Sequence, residues 1–150
     1  MWFPGFLGIL VALTVFPAIW LIVFFQTQGE SFNFEVERGE FEKLLVVYLD
    51  IAKFILTLAG GGIVLIISST ALASTKRLPA AYASPLFLLA MSIVYGILFM
   101  PFLALDYEGF RNRQNPYRRS SYVRNQTLGF STLTCFCVGY AWLIVAAVKG

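Results

Sequence analysis

The chain has 150 residues, 59% of them hydrophobic and 13% charged, with a net charge of +3, a mean hydropathy of +0.77 and no histidine. Soluble domains carry about 25% charged residues, so half that share argues against a water-soluble globule. The missing histidine removes the commonest metal and haem ligand and every Ser-His or Cys-His nucleophile pair.

The apolar residues are gathered into four runs, at 2–25, 44–73, 80–105 and 126–148. Each exceeds the ~20 residues that cross ~30 Å of hydrocarbon as a helix, and the short alternating segments of a membrane barrel are absent. The predicted fold is all-α: one integral-membrane four-helix bundle over residues 1–150, with helix two extended beyond the membrane.

In the first run no basic segment precedes the apolar stretch, which at ~24 residues is longer than the ~7–15 of a signal-peptide core. It is expected to stay as helix one. Gly5, Gly8 and Ala12 form a small-residue patch on it, and the run holds no ionisable side chain. Pro17, and Pro85 and Pro101 farther on, are expected to bend their spans.

The following loop, QTQGESFNFEVERGEFEK at 26–43, is acidic: Glu30, Glu35, Glu37, Glu40 and Glu42 against Arg38 and Lys43 leave it at −3. In the second run, Asp50 and Lys53 would be costly inside hydrocarbon. Setting Lys53 at the headgroups lets residues 54–73, about 30 Å of helix, fill the core, with 40–53 as a helical extension. Steps of three and four from Asp50 then trace a small or polar stripe through Lys53, Thr57, Gly60 with Gly61, Val64 and Ser68. The glycines are expected to form a packing notch for another helix, such as helix four of the same chain, because small residues let membrane helices approach closely. A pore lining is the alternative. A hinge is disfavoured because no proline accompanies the glycines.

Span three leads into the loop at 106–124, where Arg111, Arg113, Arg118, Arg119 and Arg124 against Asp106 and Glu108 give +3. The first and third loops share one side of the membrane. With Lys53, that side carries eight basic residues against three, which places these loops in the cytoplasm and both termini outside. The acidic and arginine-rich loops are expected to dock on each other, since arginine pairs carboxylates bidentately. Anionic lipid headgroups are the other expected partner of these arginines. A nucleic-acid role would need a larger basic surface with base-reading groups.

Helix four repeats the stripe of helix two, from Arg124 through Thr127, Ser131 and Thr134. Asp50 and Arg124 open the two stripes on the same side and are the pair expected to meet. Cys135 and Cys137 point about 200° apart on a helix and so do not suit a mutual disulfide. The sequon NQT at 125–127 lies at the membrane edge on the side read as cytoplasmic, and is not taken as a glycosylation site.

Packing stripes and complementary loops suit a non-enzymatic membrane protein that oligomerises or serves as an accessory subunit. Its expected partners are membrane lipid and either copies of itself or a larger membrane complex, with no cofactor. A homo-oligomeric pore or membrane-perturbing effector is the second reading, although no ring of acids sits mid-membrane to select ions. Small multidrug exporters share the four-span plan, but residues 2–25 lack the carboxylate those proteins carry in their first helix. In size and plan the chain also resembles the membrane-associated eicosanoid and glutathione metabolism family, which implies a glutathione-binding enzyme. That family's arginine-asparagine-glutamate pattern at the start of helix two has no asparagine in RGEFEK at 38–43, so the enzyme reading ranks last. In length and texture the chain is similar to small multi-pass proteins of bacteria, which points to the inner membrane.

Overall fold

The computed structural model describes residues 4–28, 38–72, 80–113 and 118–149. They form four α-helices: α1 (Pro4–Gln26), α2 (Arg38–Leu72), α3 (Ala83–Arg113) and α4 (Arg119–Lys149), with a 3-10 turn at Ala80–Tyr82 leading into α3. No strand occurs among the described residues, and the chain is an all-α four-helix bundle. Every helix is long and apolar enough to cross a membrane, and on α2 that stretch runs from Glu42 to Ser68, so it takes in Asp50 and Lys53, which the sequence reading set at the headgroups. The outer faces fit a membrane: Leu13, Phe25, Phe54 and Leu65 are 63% to 69% exposed, an arrangement suited to hydrocarbon and not to water.

α1 has 23 residues, or about 34 Å, and matches the hydrocarbon thickness. α2 has 35 residues, or about 52 Å, and outruns it. So do α3 and α4, each of 31 residues and about 46 Å. This corrects the reading of 106–124 as a loop. α3 continues to Arg113 and α4 begins at Arg119, before the span expected from 126. Residues 106–113 hold no proline to stop a helix, and α3 runs through them to Arg113. α2 passes through Gly60, Gly61 and Gly62 without interruption.

α3 is the organising helix and touches the other three, most extensively α4. α1 and α2 flank this α3–α4 hairpin without touching each other among the described residues, and α2 leans on α3 while only brushing α4. Lipid tails are as apolar as leucine, so close packing and interhelical hydrogen bonds hold such a bundle together. Both are present. A Cβ on Gly8 would lie 2.7 Å from Ser84 Cα, and one on Gly139 would lie 3.1 Å from Leu88 Cβ. Ser92 Oγ donates to the Thr132 carbonyl at 2.9 Å, and the Tyr95 hydroxyl donates to the Ala12 carbonyl at 3.3 Å. The Tyr95 ring also stacks on Phe16, with centroids 5.7 Å apart. The small-residue patch of helix one is therefore its seat on α3, through Gly8 and Ala12.

Candidate functional site

At the end of the bundle where α3 hands over to α4, one carboxylate gathers three donors. Asp106 Oδ2 accepts from Arg124 Nη2 at 2.7 Å and from Asn125 Nδ2 at 2.7 Å, and Asp106 Oδ1 accepts from Ser121 Oγ at 3.2 Å. The three donors occupy little more than one turn of α4, because positions 121, 124 and 125 share a helix face. Only 17% of the Asp106 side chain is exposed, so the carboxylate trades water for charge-assisted hydrogen bonds. The Arg124 guanidinium also lies 4.3 Å over the Phe102 ring, a cation–π contact from the preceding turn of α3.

Arg119 secures the third element. Its Nη2 donates to the Phe24 carbonyl at 3.0 Å, its Nε to Thr27 Oγ1 at 3.4 Å, and its guanidinium lies 4.9 Å over the Phe24 ring. A cation here satisfies a carbonyl left open by the last turn of α1 and sits at the negative end of the helix dipole. Thr27 caps the same end, its hydroxyl donating to the Val23 carbonyl at 2.8 Å.

The arrangement differs from the expected pairing. Arg124 bonds Asp106 and not Asp50. Asp50 instead meets Lys53 at 3.5 Å, both side chains being about two-thirds exposed (67% and 65%). The physical reason is the position of α2: it packs on α3, and its buried edge is Ala52, Ile55 and Ala59. That register turns Asp50 and Lys53 outward. Arg111 and Arg118 are exposed. Glu35 and Glu37 lie outside the described residues, as do the side chains of Glu40 and Arg113.

The two stripes also part company. On α4, Thr127 and Ser131 are fully buried and Thr134 is half-buried. On α2, Thr57, Gly61, Val64 and Ser68 are exposed, and a Cβ on Gly60 or Gly61 would meet nothing within 4 Å. Helix four of the same chain does not fill the expected notch. Consecutive residues differ by about 100° around a helix, so one glycine of the three faces the bundle. It is Gly62, in register with Ala59 and Ile66, and a Cβ there would lie 3.4 Å from the Tyr140 ring.

Beside the polar cluster, the shallow contact of α2 with α4 leaves a cleft of about 400 Å³ floored by α3. Leu44, Ile51 and Ile55 form one wall, Phe130 and Leu133 the other, and Phe99 and Leu103 the floor. Tyr122, Asn125 and Gln126 supply its polar groups, all near the start of α4. Among the described residues no group of three His, Cys, Asp or Glu side chains could hold a metal ion.

No family model, curated protein sequence or solved structure matches the chain.

The composition and loops did not single out Asp106, Ser121 or Asn125, nor the seat of Arg119 on α1. The signal lay in helix length: once 106–113 continues α3 and 119–124 opens α4, Asp106 comes to face residues 121–125.

Proposed function

We propose that the chain is a non-enzymatic subunit of a membrane assembly, joining copies of itself or other membrane proteins through the outer face of α2. One observation carries this reading. The face formed by Thr57, Gly61, Val64 and Ser68 is small or polar and open, and the Asp50–Lys53 ion pair lies at its end within an apolar span. Ionisable groups inside membrane spans ordinarily face protein, and small residues are the usual helix–helix contact there. The Asp106 carboxylate is committed to three donors that tie α3 to α4, which suits an architectural role.

The excess of basic residues on the first and third connections favours their cytoplasmic placement, with both termini outside. A conduit lined by α4 is disfavoured because Thr127 and Ser131 are buried within the chain, and a homo-oligomeric pore lined by the open stripe of α2 is the second reading.

Native mass spectrometry of the protein released gently from its own membrane tests the proposal. A homo-oligomer of defined stoichiometry, or co-release with other membrane proteins, is the expected result. A bare monomer under conditions that preserve known assemblies would overturn it.

A further inference from the structure

We infer that the cleft between α2 and α4 is a binding site for one anionic phospholipid, its acyl chain in the cleft and its phosphate at the arginine-rich end. The inference is independent of the subunit reading. Three observations carry it: the shape of the cleft, its polarity gradient and the charges beyond its polar end.

The cleft has a lipid's length. On α2 its wall runs from Leu44 to Ile55, and on α4 from Tyr122 to Leu133. Each is eleven helical steps, or about 16 Å, which is the depth of one leaflet of a ~30 Å hydrocarbon core. Its volume of about 400 Å³ falls within the range of small-molecule sites, which are apolar with a few placed polar groups.

Its polarity runs in the direction of a lipid. Ile55 and Leu133 close the deep end, while Tyr122, Asn125 and Gln126 lie toward the start of α4. Gln126 suits the ester and glycerol oxygens between tail and headgroup, whereas the amide of Asn125 is held by Asp106.

Its charge fits a phosphate. Stepping back by four from Gln126 through Tyr122 reaches Arg118 on the same face, and the Tyr122 amide bonds the Arg118 carbonyl at 3.1 Å, which keeps that turn helical. Stepping forward by four from Leu103 through Tyr107 reaches Arg111 on α3. Arg111 and Arg118 are both exposed, one continuing the floor and the other the α4 wall. Arg119 and Arg124 are engaged elsewhere, with the end of α1 and with Asp106. Among the arginines whose side chains are described, Arg111 and Arg118 are thus the pair placed to meet an anion. Arginine is well suited to bidentate phosphate binding.

The test uses the full chain reconstituted in vesicles of equal amounts of phosphatidylcholine and phosphatidylglycerol, then released into mild detergent for native mass spectrometry. The expected result is one retained lipid per chain, with phosphatidylglycerol preferred. Arg111→Gln and Arg118→Gln should each lower that preference about fivefold. Ile51→Trp with Leu133→Trp, which fills the cleft from its rim, should abolish retention. Leu65→Trp, on an outer face away from the cleft, should leave retention unchanged and controls for folding. Equal retention of the two lipids, or retention unaltered by the two tryptophans, would overturn the inference. So would finding the cleft occupied by a second copy, seen as a lipid-free dimer that the two tryptophans break. Assembly through α2 is read separately as subunit stoichiometry, which the cleft variants leave intact.

Discussion

Asp106 and Arg124 close the hairpin of α3 and α4 with a 2.7 Å ion pair, 18 residues apart in the chain. Because Asn125 and Ser121 bond the same carboxylate, removing it strands three donors at once.

Asp106→Ala should therefore destabilise the folded chain by about 2 kcal/mol, between the worth of a charged hydrogen bond and that of a broken buried pair, since Arg124 is partly exposed. Thermal unfolding in detergent measures it. Combined with Arg124→Met, the two losses should be less than additive, because both report one contact. Strict additivity would show that the pair is not coupled.

The outward Asp50–Lys53 pair predicts a different outcome. Asp50→Arg should leave the fold of the monomer and the Asp106–Arg124 contact intact, because Asp50 bonds Lys53 of its own helix. Adding Arg124→Asp should rescue nothing, since the two positions do not meet. Recovery of stability in that double variant would place Asp50 against α4 after all.

Two glycines make opposite predictions. At Gly8 even a methyl group would be forced against the Ser84 backbone at 2.7 Å. Gly8→Leu should separate α1 from α3 and lower the midpoint of unfolding sharply, at a cost of about 3 kcal/mol or more. At Gly61 there is open space, and Gly61→Ala should stabilise the monomer by up to about 1 kcal/mol through helix propensity. If α2 packs on a partner as proposed, Gly61→Leu should dissociate the assembly while the monomer stays folded. Size-exclusion chromatography beside thermal unfolding separates the two effects.

Arg119 tests the attachment of α1. Arg119→Leu leaves the Phe24 carbonyl with the Thr27 hydroxyl alone and removes the positive charge at the helix end, and should cost about 1–2 kcal/mol. Hydrogen exchange should then accelerate in the last turn of α1 and stay unchanged in the middle of α3. Uniform acceleration across the bundle would mean that Arg119 supports the whole fold and not this one joint.

Composition and run length alone determined the solvent and the number of helices. Four stretches with so few charges cannot satisfy their backbone groups in hydrocarbon except as helices, and that constraint is local to each stretch. The extended second helix was legible for the same reason. Partners were not legible. Asp50 lies six residues inside the run that begins at 44 and Asp106 one residue beyond the run that ends at 105, yet nothing in their own segments says which will face Arg124. That choice depended on α3 packing between its neighbours and on the angle at which α2 presents its edge. The same angle decided that Gly62 turns inward while Gly60 and Gly61 turn out. A shift of one residue rotates a helix face by about 100°, so small differences in tertiary packing decide which side chains meet, and only the folded bundle holds that information.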